Sequence, residues 1–195
     1  MRWGGEYFID DKGCTRLSKD ITGHGHSIVI GEGSRMDRSS IYIRGNNNRL
    51  KIGKNCIFGK NCSFRMEGSN ITITIGDNST FTSNVNFTAQ EDGTSILIGD
   101  DCMFSNTIVV RTSDSHPIYS KGSGERLNLP GNVVIGNHVW VAPNSKIMKG
   151  AEIGEGTVIG SDTMINKPIP SRVLAVGMPA RVVKENIEWT REKLF

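Results

Sequence analysis

An all-β fold, a parallel β-helix built from hexapeptide repeats, is what the sequence predicts, and three observations predict it. From Ile135 an aliphatic residue returns every six positions, through Val141, Ile147, Ile153 and Ile159 to Ile165. Gly136, Gly154 and Gly160 directly follow three of these, while Ser145, Ala151, Thr157 and Thr163 place a small residue four positions after an aliphatic one. Upstream, Ile30-Gly31-Glu32, Ile52-Gly53-Lys54, Ile75-Gly76-Asp77 and Ile98-Gly99-Asp100 recur at spacings of 22, 23 and 23. A period of six fits neither a helix, at about 3.6, nor a half-buried strand, at about 2. It fits a repeat in which each hexapeptide is one flat side of a three-sided coil.

Residues 1–27 lack this beat and are expected to be an N-terminal cap segment, in which Trp3, Tyr7, Phe8 and Ile9 either pair as a strand or cover the open end of the first coil. His24 and His26 fall in a Gly-rich turn and are expected in a solvated loop, because no third metal ligand is in view. The helix proper is expected over 28–184. Within each long unit the six-residue beat persists, as Ile52/Phe58/Phe64, Ile75/Phe81/Phe87 and Ile98/Phe104/Val110. The extra residues at Glu67–Ile71 and Gln90–Thr94 are polar or Gly-bearing and suit a bulging corner. The phenylalanines should stack in columns along the axis as core. Side chains alternate across a strand, so Arg65, Thr88 and Arg111, each one place after an inward residue, should form an outward ladder. The beat fails over 112–131, a loop too long to be idle in a compact fold. Lys167-Pro168-Ile169-Pro170 ends the solenoid, and 185–195 is expected to be a short helical tail that packs Ile187, Leu194 and Trp189 against the last coil.

Composition narrows the function. Twenty-three glycines suit turns rather than an all-helical fold. A net charge of +3, with no Lys/Arg block, gives no footprint for nucleic acid. No apolar run has the length of a membrane span and the N-terminus shows no signal-peptide core, so a cytoplasmic location is expected. Cys56, Cys62 and Cys102 each follow a repeat residue by four places, and with Cys14 they form no CxxC pair. They are expected to fill tight inward turns rather than to bridge or bind metal.

Several motifs together carry a resemblance. The loop has Ser113-Asp114-Ser115-His116-Pro117, followed by Ile135-Gly136-Asn137-His138-Val139-Trp140-Val141-Ala142 and, near the end, Gly177-Met178-Pro179-Ala180-Arg181-Val182-Val183-Lys184. With the hexapeptides, these resemble the left-handed β-helix acyltransferases that use acetyl-CoA. The 24-residue spacing from His116 to Trp140 is similar to that of bacterial capsule O-acetyltransferases that modify sialic-acid polymers. The resemblance, not the periodicity, implies the left-handed sense. It also implies a homotrimer with sites between subunits, each lined by two chains.

Acetyl transfer from a thioester to a sugar hydroxyl needs a base at the hydroxyl, and a neutral imidazole suits that task near pH 7. His116, on the one large excursion and directly before Pro117, is the expected general base. Direct attack then needs no covalent intermediate, so Ser113 and Ser115 need not be nucleophiles. Asp114, Glu125 or a backbone carbonyl are alternatives for orienting the ring. Trp140 precedes inward Val141 and should point outward; the resemblance gives it a place in catalysis and against the acetyl-pantetheine arm or the acceptor sugar. By position the resemblance also implies Ala142 and Gly160 on that arm and Lys167, Arg181 and Lys184 at the CoA phosphates. Arg65, Thr88 and Arg111 would line a groove for an acidic acceptor, since two stacked arginines call for an anion, and His138 would pack or line the substrate. No metal is expected.

The function expected is therefore acetyl-CoA-dependent O-acetylation of a bacterial surface polysaccharide, with a sialic-acid-containing capsule among the candidates. Acetylation of a small sugar, nucleotide-sugar or antibiotic is the alternative. A non-enzymatic solenoid stands third, because Thr72/Thr74 and Thr80/Thr82 do not recur in register as an ice-binding ladder would require. A zinc hydratase would need three histidines at one interface, and only His116 and His138 lie in a suitable region.

Overall fold

The computed structural model describes residues 14–194, and within them every regular element is a β-strand. The strands stack in parallel, in register, as the three faces of a prism. The first face holds Cys14–Thr15, Arg35–Asp37, Ile57–Phe58, the starts of Thr80–Gln90 and Met103–Arg111, then Trp140–Val141, Val158–Ile159 and Leu174–Val176. The second holds Ser18–Ile21, Ser40–Arg44, Ser63–Glu67, the ends of the same two long strands, Lys146–Ile147 and Met164–Ile165. The third runs from Ser27–Ile30 through Arg49–Ile52, Thr72–Ile75, Ser95–Ile98 and Val133–Ile135 to Glu152–Ile153. The two long strands turn a corner without a break at Asn84 and Thr107, both in the left-handed region at φ 53° and 59°.

The core is the prism interior. Phe58, Phe81 and Phe104 stack along the axis, with Phe58 and Phe81 parallel at 4.4 Å and Phe81 and Phe104 tilted at 4.9 Å. Phe64 and Phe87 form the second column at 5.0 Å. Cys56, Cys62 and Cys102 are free, fully buried thiols in the turns, and burial pushes the Cys102 thiol up to about 12. Ser145, Thr157 and Thr163 are equally buried, with hydroxyls turned onto the carbonyls of Gly160, Pro170 and Ser161. At Gly76 the need for glycine is steric. A Cβ there would meet the Gly99 carbonyl carbon of the next coil at 2.6 Å.

Three expectations need correction. The solenoid does not begin at residue 28, because Cys14–Thr15 and Ser18–Ile21 already pair with the next coil. That coil hid from the six-residue beat because Lys19 stands in register with inward Ile41. The capping expectation for Trp3, Tyr7, Phe8 and Ile9 lies outside the described residues. The tail is not helical: so short a segment has little helix stability of its own, and its backbone bonds to the solenoid instead. Ile187 N–H donates to the Arg172 carbonyl at 3.0 Å, Trp189 packs on earlier coils, and Leu194 is fully exposed.

His26 is the third correction, since it is buried rather than solvated. Its Nδ1 accepts the Asn48 N–H at 3.2 Å and its Nε2 lies 3.4 Å from the Thr22 carbonyl. Burial, helped by His24 and opposed by the Thr22 carbonyl, holds the imidazole below its ordinary value. Below about pH 6.5 the unfolded chain therefore takes up a proton before the folded one, so stability falls as pH drops until the folded value is passed. Asn48 fills the same inward place one coil on. A His26→Asn variant is therefore expected to lose less melting temperature between pH 7 and pH 5 than the parent, and parallel pH profiles would contradict this.

Candidate active site

The chain leaves the second face after Arg111 and rejoins the third at Val133. Two polar clusters hold this excursion at its base. Arg126 grips Glu91 with two bonds of 2.6 and 2.7 Å, and Ser113 Oγ donates to the same carboxylate at 2.5 Å. The Arg126 bond, with the help of Ser113, keeps the Glu91 carboxyl below the usual range against its burial. In the second cluster Asp114 Oδ2 accepts from Lys149 Nζ at 2.6 Å and from Asn128 Nδ2 at 2.9 Å. Lys149 is the main reason that the Asp114 carboxyl is depressed. Asn128, buried, also donates to the His116 carbonyl at 2.9 Å and accepts the Ile118 N–H at 2.6 Å. Asp114 thus fixes the loop backbone rather than the imidazole, and Glu125 is exposed.

His116 is exposed at a groove of about 550 Å³ on the second face, lined also by Arg65, Thr88, Gln90, Val109, Arg111 and Ser115. The ladder of Arg65, Thr88 and Arg111 is in direct register. Its two arginines differ, however. Arg65 bonds Glu67 at 2.6 Å and lies 4.4 Å over the Tyr42 ring. Glu67 in turn takes the Gln90 amide at 2.5 Å. The expectation that both arginines want an external anion is therefore corrected: Arg65 already has a carboxylate. Among the described residues Arg111 bonds only the neutral Ser115 hydroxyl, at 2.7 Å, and none of them pairs with its buried Nε. Sequence reasoning named neither Glu67 nor Gln90 here, although both lie two places beyond ladder residues on the same outward rows.

Trp140 is on the first face, outward and half-buried, between Met103 and Val158. His138, at φ 52°, takes the left-handed corner place that Asn55, Asn78 and Asp101 fill in earlier coils. Its Nδ1 lies 2.6 Å from Asp101 and its Nε2 3.0 Å from the Trp189 carbonyl. Burial works to raise the Asp101 carboxyl, but hydrogen bonds from His138 and Arg191 outweigh it and hold it below the usual range. At the opposite corner, the N–H groups of Ala142 and Gly160 bond the carbonyls of Ile159 and Ala175, inside the ladder. Lys167, Arg181 and Lys184 are exposed around the last coil, where Arg181–Lys184 folds back antiparallel on Leu174–Val176. Within one chain His116 and Trp140 occupy different faces of the prism, and the His116 groove does not include Trp140.

Comparison with known proteins matches this geometry to a family. Residues 132–167 match the bacterial transferase hexapeptide (six repeats) model. The polysialic acid O-acetyltransferase of Neisseria meningitidis is 38% identical over 180 residues, 88% of this chain and 79% of that protein. A polysialic acid O-acetyltransferase of Escherichia coli O1:K1 is 36% identical over 84 residues, so the matched stretch spans 27% of that relative. Among solved structures, the polysialic acid O-acetyltransferase OatWY superposes with a TM-score of 0.77 at 30% identity, over 96% of this chain and 92% of that one. The polySia-specific acetyltransferase NeuO gives 0.76 at 28% identity, over 97% and 84%. A galactoside acetyltransferase in complex with coenzyme A gives 0.55 at 28% identity, over 70% and 64%. The protein is a left-handed parallel β-helix and belongs to the hexapeptide-repeat acyltransferase family that includes the polysialic acid O-acetyltransferases.

Proposed function

We propose that this protein transfers the acetyl group of acetyl-CoA to a hydroxyl of an acidic, sialic-acid-containing capsule polysaccharide, with His116 as general base. The observation that carries this reading is the groove in which His116 opens beside a guanidinium, Arg111, that no carboxylate among the described residues pairs with. The imidazole takes the proton of the acceptor hydroxyl as its oxygen attacks the thioester carbonyl. The tetrahedral intermediate then collapses with release of the CoA thiolate, which recovers a proton from the imidazolium. Trp140, on a neighbouring face, lies against the acetyl-pantetheine arm. The arm runs over Ala142 and Gly160 toward Lys167, Arg181 and Lys184. Because His116 and Trp140 sit on different faces, the complete site forms between copies of the chain, and a homotrimer provides three such sites. Among the described residues no helix is long and apolar enough to cross a membrane. The cytoplasm, as the source of acetyl-CoA, is the proposed site of the reaction.

Thiol release from acetyl-CoA should be stimulated by a sialic-acid polymer and not by a neutral polysaccharide. Arg111→Gln is expected to lower kcat/KM for the acidic acceptor by about 10- to 100-fold, the size of a lost charge-assisted bond. Arg65→Gln should cost less, since Glu67 already satisfies Arg65. Equal losses would reject the assignment of the anion site to Arg111. A neutral small-sugar acceptor is the second reading, favoured by 38% identity over 72 residues to the galactoside O-acetyltransferase of Escherichia coli K12; stimulation by galactosides but not by the polymer would establish it.

A further inference from the structure

The C-terminal tail does not trail from the solenoid. It crosses back over the first face and passes beside Trp140. Trp189, only 7% exposed, stacks flat on the His138 ring at 4.0 Å and 10° and meets the Trp140 ring at 5.9 Å and 47°. Its Nε1 donates to the His138 carbonyl at 2.9 Å, and its own carbonyl lies 3.0 Å from His138 Nε2. Two residues on, Arg191 locks the segment down. It bonds Asp101 Oδ1 at 2.7 Å, Thr80 Oγ1 at 2.9 Å and the Cys102 carbonyl at 2.9 Å.

This arrangement gives Trp140 a wall on one side. His138 lies two places before it and Ala142, itself buried, two places after, and the tail packs on the His138 flank. The Trp140 Nε1 is buried and has no hydrogen-bond partner among the described residues. An indole on a solenoid face can swing about its side-chain torsions unless something packs against it. Among the described residues Trp189 is the aromatic ring that does so.

We infer that Trp189 is a positioning residue for acetyl transfer: it holds the Trp140 indole in the orientation that receives the acetyl-pantetheine arm, and the Asp101–His138 pair and Arg191 hold Trp189 in place. The inference rests on the role of Trp140 proposed above. It assigns a working part to a segment that lies 51 residues from the corner it packs on and outside every repeat.

The test is a double-mutant cycle on the full chain in a Trp3→Phe background, which leaves Trp140 as the reporter when Trp189 is replaced. Trp189→Ala is expected to reduce kcat/KM for acetyl-CoA by about 10- to 100-fold, the scale of a misplaced reacting group. Trp189→Phe keeps the stack and should restore most of that loss. The Trp140/Trp189 double alanine variant should be no worse than Trp140→Ala alone, because the second change removes a support whose object is already gone. Trp140 emission should lie further to the red in Trp189→Ala than in Trp189→Phe, the two proteins in which it is the sole indole. Additive losses in the cycle, or full activity of Trp189→Ala, would overturn the inference while leaving the role of Trp140 standing. Full activity of Trp140→Ala would overturn both. Should Trp189→Ala prove insoluble, Trp189→Leu fills the same apolar site without an aromatic face and is expected to behave as the alanine variant does.

Discussion

Replacement of His116 by alanine is expected to lower acetyl transfer by about 10²–10⁴-fold, the range that a positioned general base contributes. The loss should fall on kcat. Acetyl-CoA is held, on the proposed reading, by Trp140 and the C-terminal coils on other faces, so its binding in a direct titration should change little. The loop should also keep its place without the imidazole. Asn128 holds the backbone carbonyl of His116, not its ring, and the Glu91–Arg126 and Asp114–Lys149 pairs sit at the loop base. These separations make the experiment decisive. Thiol release at the parent rate in folded His116→Ala protein would remove the base from the mechanism. Loss of acetyl-CoA binding together with rate would instead show that the loop takes part in holding acetyl-CoA, against the placement of the arm on Trp140 and the C-terminal coils alone. Some transfer should survive even without the base, because positioning of the two substrates is a separate contribution.

Much of this site was legible in the sequence, and the parts that were not share a physical reason. The Arg65–Thr88–Arg111 ladder follows from two local rules, alternation along a strand and equal coil lengths, and the register bears it out. The aromatic columns follow from the same coil length. The same alternation, carried two residues further, reaches Glu67, which neutralises Arg65, and Gln90, whose amide bonds Glu67, and so changes which arginine lacks a carboxylate. The first coil escaped notice because Lys19 breaks the apolar beat at an inward position. The tail contacts escaped for another cause. Trp189 meets His138 across 51 residues and Arg191 meets Asp101 across 90, and no periodicity connects residues outside the repeat to those within it. Repeat rules describe what each coil does to the next. They are silent on a segment that packs across several coils.

Phe81→Ala is expected to be the most destabilising single change in the described core, at about 3–5 kcal/mol. Phe81 is 1% exposed and touches three other rings: Phe58 at 4.4 Å, Phe104 at 4.9 Å and Phe87 edge-on at 5.5 Å. Its removal leaves a cavity at the meeting point of both aromatic columns, and the flanking coils cannot close on it because their backbones are fixed one strand spacing apart. A shift of several degrees in the melting midpoint should result, against no more than about 0.5 kcal/mol for Leu194→Ala, whose side chain is fully exposed. Activity should respond differently. In a solenoid each coil leans only on its neighbours, and the groove, the His116 loop and Trp140 all lie outside the prism. Folded Phe81→Ala protein at low temperature should therefore transfer acetyl groups at close to the parent rate. A large loss of rate without loss of fold would mean that the outward groove depends on the inner packing of the column, and that the ladder of Arg65, Thr88 and Arg111 is held in register by the phenylalanines behind it rather than by the backbone alone.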